Sequence, residues 1–138
     1  MNSQPRIVIS IGDPAGIGPE VVLKALADEA TRQLADWILA GDPAALAPVE
    51  AQTGIQLTRL DRVTLQSPGV LLKAPISGRL DAENGRAALE YVRLATMLCL
   101  GGGTDAMVTA PLNKEAVTLT GRAFTGHTEY IAELCGSP

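Results

Sequence analysis

Aromatic side chains and positive charge are both scarce in this sequence. Aromatic residues make up 3% of the 138 residues, and the formal net charge is -4. Proteins that hold single-stranded nucleic acid stack its bases on aromatic side chains, and nucleic-acid binders in general neutralise phosphates with lysine and arginine. Nucleic acid is therefore excluded as an expected partner.

Histidine and cysteine are almost absent. The chain has one histidine, His127, and two cysteines, Cys99 and Cys135. Residues so few and so far apart predict neither a zinc site nor a disulfide framework, and we expect both cysteines to be buried free thiols. Because G-x-S-x-G, C-x-x-C and H-E-x-x-H motifs are also missing, the sequence predicts no catalytic residue and no metal ligand.

Long hydrophobic runs are missing too. The apolar stretch at residues 7–11 is too short for the core of a signal peptide and much too short to span a bilayer. We therefore expect a cytoplasmic chain without membrane contact. Hydrophobic residues make up 46% of the sequence and charged residues 19%. A chain of this length and composition can bury a core as one domain.

Short apolar runs alternate with amphipathic segments along the chain, and this periodicity predicts strands and helices. The predicted strands are residues 6–11, 36–40 and 105–109, with weaker candidates at 55–60 and 70–72. The predicted helices are residues 19–34 with a break near Asp28, 43–54, 82–100, 114–119 and 129–134, the last capped by Thr128. This alternation predicts an α/β fold with a mostly parallel sheet flanked by helices.

Ligands collect at the carboxyl ends of the strands in such a sheet, and residues 12–20 follow the first strand. Asp13, Gly16 and Gly18 lie in this glycine- and proline-rich loop. Glycines leave the backbone at the N-terminus of the next helix uncovered, so that it can approach a phosphate or a nucleotide. The loop matches neither G-x-G-x-x-G nor a P-loop. A plain structural turn explains its glycines equally well.

A second loop, residues 109–115, follows the strand predicted at 105–109. Lys114 falls in the first turn of a predicted helix, where a positive charge opposes the helix dipole unless an anion offsets it. Asn113 and Lys114 are therefore candidates for an anion site. The alternative is a surface lysine paired with a nearby acid.

A third loop, residues 124–129, holds the only histidine. The imidazole of His127 can donate to a phosphate oxygen, and the Thr128 hydroxyl and the amides that follow can supply further donors. The alternative is a histidine satisfied by backbone groups and a threonine that only caps its helix.

Four motifs occur together in this order: residues 12–20 (GDPAGIGPE), 83–85 (ENG), 109–115 (TAPLNKE) and 124–129 (FTGHTE). Together they resemble the 4-hydroxythreonine-4-phosphate dehydrogenase family of vitamin B6 biosynthesis, which belongs to the structural group of isocitrate and isopropylmalate dehydrogenases. The resemblance implies a homodimeric enzyme that uses NAD and a divalent metal (Zn, Mg or Co). It implies oxidation and decarboxylation of 4-phosphooxy-L-threonine to 3-amino-2-oxopropyl phosphate, with His127 and Thr128 binding the phosphorylated substrate.

Members of that family are more than twice as long as this chain. Their metal-binding histidines and most of their NAD contacts lie beyond the segment that this sequence matches. The resemblance therefore implies that residues 1–138 are the N-terminal part of an incomplete first lobe, without the second lobe or the returning segment. We expect such a piece to be inactive alone, with an open sheet edge that favours self-association. The alternatives are a related dehydrogenase for another phosphorylated or dihydrodiol substrate, or a small non-catalytic binding module.

Overall fold

Four parallel strands form the sheet of this computed structural model, which describes residues 4–137. The strands are β1 (Arg6–Ser10), β2 (Asp36–Ala40), β3 (Val63–Gln66) and β4 (Ala106–Thr109), and their order across the sheet is β3-β2-β1-β4. Val8 of β1 pairs with Ile38 of β2 on one side and with Met107 of β4 on the other. The predicted parallel α/β architecture is confirmed.

Six α-helices within residues 4–137 connect and cover these strands. They are α1 (Gly18–Ala27), α2 (Glu29–Arg32), α3 (Pro43–Thr53), α4 (Ala82–Leu100), α5 (Lys114–Thr118) and α6 (His127–Leu134). The predicted break near Asp28 separates α1 from α2, and the Asp28 carboxylate caps α2 by accepting from the Thr31 amide at 3.0 Å. None of the helices in residues 4–137 is long and apolar enough to cross a membrane.

The two weaker strand predictions are wrong. Residues 55–60 contain a short 3₁₀ turn, Leu57–Arg59, and the strand that joins the sheet is β3, which the sequence reading missed. Leu57 is buried in the core, and its amide donates to the Glu50 carboxylate at 3.0 Å instead of to a neighbouring strand. Residues 70–72 form no strand, because the Leu71 amide donates to the side chain of Asp42.

The main hydrophobic core lies between the sheet and the helices, and Val8, Leu39 and Tyr91 are completely buried in it. A second, smaller cluster joins α4, α5 and α6 through Leu89, Val92, Val117 and Tyr130. Burial of these apolar side chains fixes the two short helices, which could not be stable alone, against the long helix α4. The second cluster therefore positions the loops that begin α5 and α6.

β3 and β4 are the edge strands of the sheet. Val108 of β4 is 48% exposed, so this edge presents apolar surface as well as backbone groups. Self-association through this edge stays a prediction.

Candidate functional site

The loops after β1 and β4 meet at the carboxyl edge of the sheet. The Asp13 amide donates to the Pro111 carbonyl oxygen at 3.1 Å, which fixes the two loops to one another. Between them lies a cleft of about 430 Å³. Its lining residues come from both loops and the start of α5, and they are Asp13, Gly16, Ile17, Pro111, Leu112, Asn113, Lys114 and Glu115. The structure thus brings together four of the residues singled out in the sequence.

Asp13 is the buried acidic group of this cleft. It is 6% exposed, and one of its carboxylate oxygens accepts from the Ala15 amide at 2.8 Å. Burial raises the pKa of Asp13, and the hydrogen bond from Ala15 opposes this effect. Gly16 lies exposed at the rim of the cleft, whereas Gly18 is buried as the first residue of α1 and does not line the cleft.

Asn113 and Lys114 begin α5. The amide oxygen of Asn113 accepts from the backbone of Glu115 at 2.9 Å and of Ala116 at 3.2 Å, so this side chain caps the helix. Lys114 is exposed and forms no ion pair within residues 4–137. The alternative, in which Lys114 pairs with a nearby acid, is therefore wrong for residues 4–137.

His127 is the first residue of α6, and Gly126 precedes the helix. The helix begins before Thr128, and no side chain caps it, so the prediction that Thr128 caps this helix is wrong. The reason is that the chain enters the helix at Gly126 in an extended conformation, which places Thr128 inside the first turn with its side chain exposed.

The imidazole of His127 is partly buried, and its Nε2 atom is buried without a hydrogen-bond partner in residues 4–137. The ring of Phe124 approaches it edge-on with 6.3 Å between the ring centroids. Burial lowers the pKa of His127, and the positive charge of Lys114 lowers it further. The starts of α5 and α6 are thus close enough in space for their charges to interact.

Replacing Lys114 with glutamine raises the pKa of His127, because removing a neighbouring positive charge favours the protonated imidazole. The pKa stays below its ordinary value of 6.5, since burial is the larger cause of the shift. An NMR pH titration measures this directly, and the single histidine makes the signal unambiguous. Lys24→Gln, on α1, is the matched control and leaves the titration unchanged; an unaltered or lower pKa in Lys114→Gln contradicts the interaction.

Metal-binding side chains do not cluster in the described part of the chain. Within residues 4–137 there is no group of three or more histidine, cysteine, aspartate or glutamate side chains that could hold an ion. Cys99 is partly buried, with its sulfur 3.1 Å from the Thr104 hydroxyl. Cys135 is exposed just after α6, so the expectation that both thiols are buried is wrong for this residue.

The sequence analysis predicted no role for Asp42. This carboxylate is completely buried and accepts hydrogen bonds from the Ser67 hydroxyl, the amides of Gly69 and Leu71, and the Tyr91 hydroxyl. It holds the segment after β3 at the carboxyl edge of the sheet. An aspartate two residues after the end of β2 was the available signal, but the start of α3 at Pro43 gave it a local explanation.

Comparison with known proteins decides the family. The profile of the pyridoxal phosphate biosynthetic protein PdxA matches residues 18–138. The chain belongs to the PdxA family. Its resemblance to 4-hydroxythreonine-4-phosphate dehydrogenases is confirmed by a relative of that name from Geobacter metallireducens, 38% identical over 149 residues, which covers 99% of this chain and 44% of the relative. Because its relatives are named dehydrogenases, the family is one of oxidoreductases.

Solved structures agree with this assignment. The structure of a 4-hydroxythreonine-4-phosphate dehydrogenase from Burkholderia phymatum matches with a TM-score of 0.88 and 34% identity, over 99% of this chain and 45% of that protein. A terephthalate 1,2-cis-dihydrodiol dehydrogenase from Burkholderia xenovorans LB400 matches with a TM-score of 0.78 and 27% identity, over 99% and 42%. This member of the PdxA family thus spans less than half the length of the relatives it matches.

Proposed function

We propose that this chain is the N-terminal part of a cytoplasmic, homodimeric dehydrogenase that uses NAD and a divalent metal. The proposed enzyme oxidises 4-phosphooxy-L-threonine and decarboxylates it to 3-amino-2-oxopropyl phosphate, a step toward pyridoxal phosphate. Membership of the PdxA family and the names of the relatives support the substrate class. The observation that carries the role of this chain is the unpartnered imidazole nitrogen of His127 in the first turn of α6.

The surroundings of His127 suit a phosphate group. The first amides of a helix have no partner within it, and they carry the positive end of the helix dipole. The Thr128 hydroxyl is exposed in the same turn, where it is free of any capping hydrogen bond. Lys114 adds a positive charge that acts on His127. A phosphate seated here meets donors from the imidazole, the hydroxyl and the helix backbone together.

We assign phosphate binding to these residues and no redox step. Residues 4–137 lack the cluster of ligands that a divalent cation needs, so the proposed metal does not fit this part of the protein. The loop at residues 12–20 lacks both nucleotide-binding fingerprints, so no contact with NAD is assigned to it. We therefore propose that the chain alone binds the substrate phosphate and does not turn the substrate over.

Isothermal titration calorimetry of the chain with 4-phosphooxy-L-threonine and with phosphate-free 4-hydroxy-L-threonine tests phosphate recognition. The phosphorylated compound binds at least tenfold more tightly. His127→Ala binds the phosphorylated compound about 10- to 150-fold more weakly, because a hydrogen bond to a charged group contributes about 1.5–3 kcal/mol. Cys135→Ser, at the other end of α6, is the control and binds normally. Equal binding of the two compounds overturns the proposed site, and NADH formation by the chain alone overturns its proposed inactivity.

A second candidate function is a dehydrogenase for a dihydrodiol. The match to the Burkholderia xenovorans structure favours it, because that protein is named for a substrate without phosphate. The same titration separates the two candidates. A dihydrodiol dehydrogenase binds the phosphorylated and the phosphate-free compound equally tightly. His127→Ala then leaves the ratio of the two affinities unchanged.

A further inference from the structure

A separate cavity of about 560 Å³ lies beside α4. Its walls come from α4, from the segment after β3, from the connection between α5 and α6, and from α6 itself. We call it the α4 cavity. It shares no lining residue with the cleft that contains Asp13 and Lys114, and neither His127 nor Thr128 lines it. Its volume falls within the range of about 300–1,000 Å³ that is typical of small-molecule sites.

One part of the α4 cavity is apolar. Leu89 and Tyr130 belong to the second hydrophobic cluster and are 7% and 6% exposed, so they form a fixed surface. Val70, which is 36% exposed, adds an apolar contact from the segment after β3. An apolar ligand group that enters the cavity is stabilised there, because its own surface and part of the apolar wall are both removed from water.

The other part carries two positive and two negative side chains. Arg122 and Glu90 already have partners, because Arg122 contacts Glu133 at 3.1 Å and Glu90 contacts Arg93 at 3.8 Å. Arg86 and Glu83 differ from them: within residues 4–137 neither side chain forms an ion pair or a hydrogen bond. The cavity thus presents one guanidinium and one carboxylate that are free to bind a ligand.

We propose that the α4 cavity binds an α-amino acid with a large apolar side chain. Glu83 and Arg86 are three residues apart on one helix, so their side chains emerge as neighbours on the same face. Arg86 binds the ligand carboxylate, and Glu83 binds the ammonium group. The ligand side chain packs against Leu89 and Tyr130.

The balance of charge favours a zwitterion over an ion of one sign. An anion that approaches Arg86 also meets the carboxylates of Glu83 and Glu90, and a cation that approaches Glu83 meets Arg86 and Arg122. Repulsion between like charges therefore weakens the binding of any ligand that carries only a positive or only a negative charge. A ligand that carries both charged groups on one carbon atom satisfies the two free side chains at once.

Calorimetric titration of the chain with three probes tests this proposal. L-Phenylalanine binds, whereas L-phenylalanine amide, which lacks the carboxylate, and N-acetyl-L-phenylalanine, which lacks the ammonium group, bind at least tenfold more weakly. Binding of the N-acetyl compound as tightly as the free amino acid shows a simple anion site and overturns the proposal. Equal binding of the amide shows a simple cation site and overturns it too, as does the absence of L-phenylalanine binding.

Two single substitutions assign the binding to this cavity. Arg86→Gln and Glu83→Gln each weaken L-phenylalanine binding at least tenfold. Arg59→Gln changes another exposed arginine, outside the cavity, and leaves the affinity unchanged. Circular dichroism melting curves confirm that the variants fold, which is expected because all three side chains are exposed. Unchanged affinity in both cavity variants locates the binding elsewhere and contradicts the proposal.

Discussion

Replacing Asp42 with alanine destabilises the chain by about 2–6 kcal/mol, because two buried donors, the Leu71 amide and the Tyr91 hydroxyl, lose their acceptor at about 1–3 kcal/mol each. The loss is a large fraction of the total stability of an ordinary domain. Denaturant unfolding measures it, with the fluorescence of the single tryptophan, Trp37, reporting on the sheet.

Two further variants keep this prediction testable if Asp42→Ala does not fold. Tyr91→Phe removes one donor together with its bond to the carboxylate, and we expect a smaller loss of about 1–2 kcal/mol. Asp36→Ala removes an exposed carboxylate whose ion pair with Arg62 lies at the surface, and such pairs contribute at most about 1 kcal/mol. A Tyr91→Phe variant as stable as the parent chain contradicts the role that we assign to Asp42.

Gly85→Ala is expected to destabilise the chain by about 3 kcal/mol, toward the upper end of the usual cost of overpacking a core. A Cβ atom at this position would lie 2.2 Å from the carbonyl oxygen of Ala116, so α4 and α5 must move apart. The helix propensity of alanine offsets about 1 kcal/mol at most. Chemical denaturation measures the difference in the free energy of unfolding.

Gly101→Ala is the matched control for this substitution. Gly101 ends the same helix with a φ of -82°, which alanine adopts freely, and an added Cβ would lie 3.3 Å from the nearest atom, the Met97 carbonyl oxygen. We expect the free energy of unfolding of the Gly101→Ala variant to differ from that of the parent chain by less than about 1 kcal/mol. Equal effects of the two substitutions contradict the close approach of α4 and α5 as the reason for glycine at position 85.

The close approach at Gly85 also connects two of the motifs that define the family resemblance. The ENG motif lies in the first turns of α4, and the TAPLNKE motif leads into α5. Because the backbones of the two helices are in direct contact, the position of Lys114 depends on the absence of a side chain at Gly85. Gly85 is distant in sequence from the candidate phosphate site, and it nevertheless helps to position the Lys114 side of that site.

Much of the candidate site could be predicted from local sequence. A strand followed by a glycine-rich loop, a lysine at the start of a helix and a lone histidine after a glycine are local patterns, and the carboxyl ends of parallel strands meet by topology. The prediction of Thr128 as a cap failed because the conformation of Gly126, on which the helix start depends, has no separate signal in the sequence. The strand β3 was missed because its short, half-polar run resembles the segment that precedes it.

The amino-acid sequence alone determined the fold class, the family and the loops to which we assign phosphate binding as a proposal, since these depend on hydrophobic period, glycine and proline placement and motif order. Only the tertiary structure decided what the buried carboxylate of Asp42 does, why position 85 is glycine and which charges remain free beside α4. Each of these depends on groups that are distant in sequence, and hydrogen bonds and steric contacts between such groups exist only after the chain has folded.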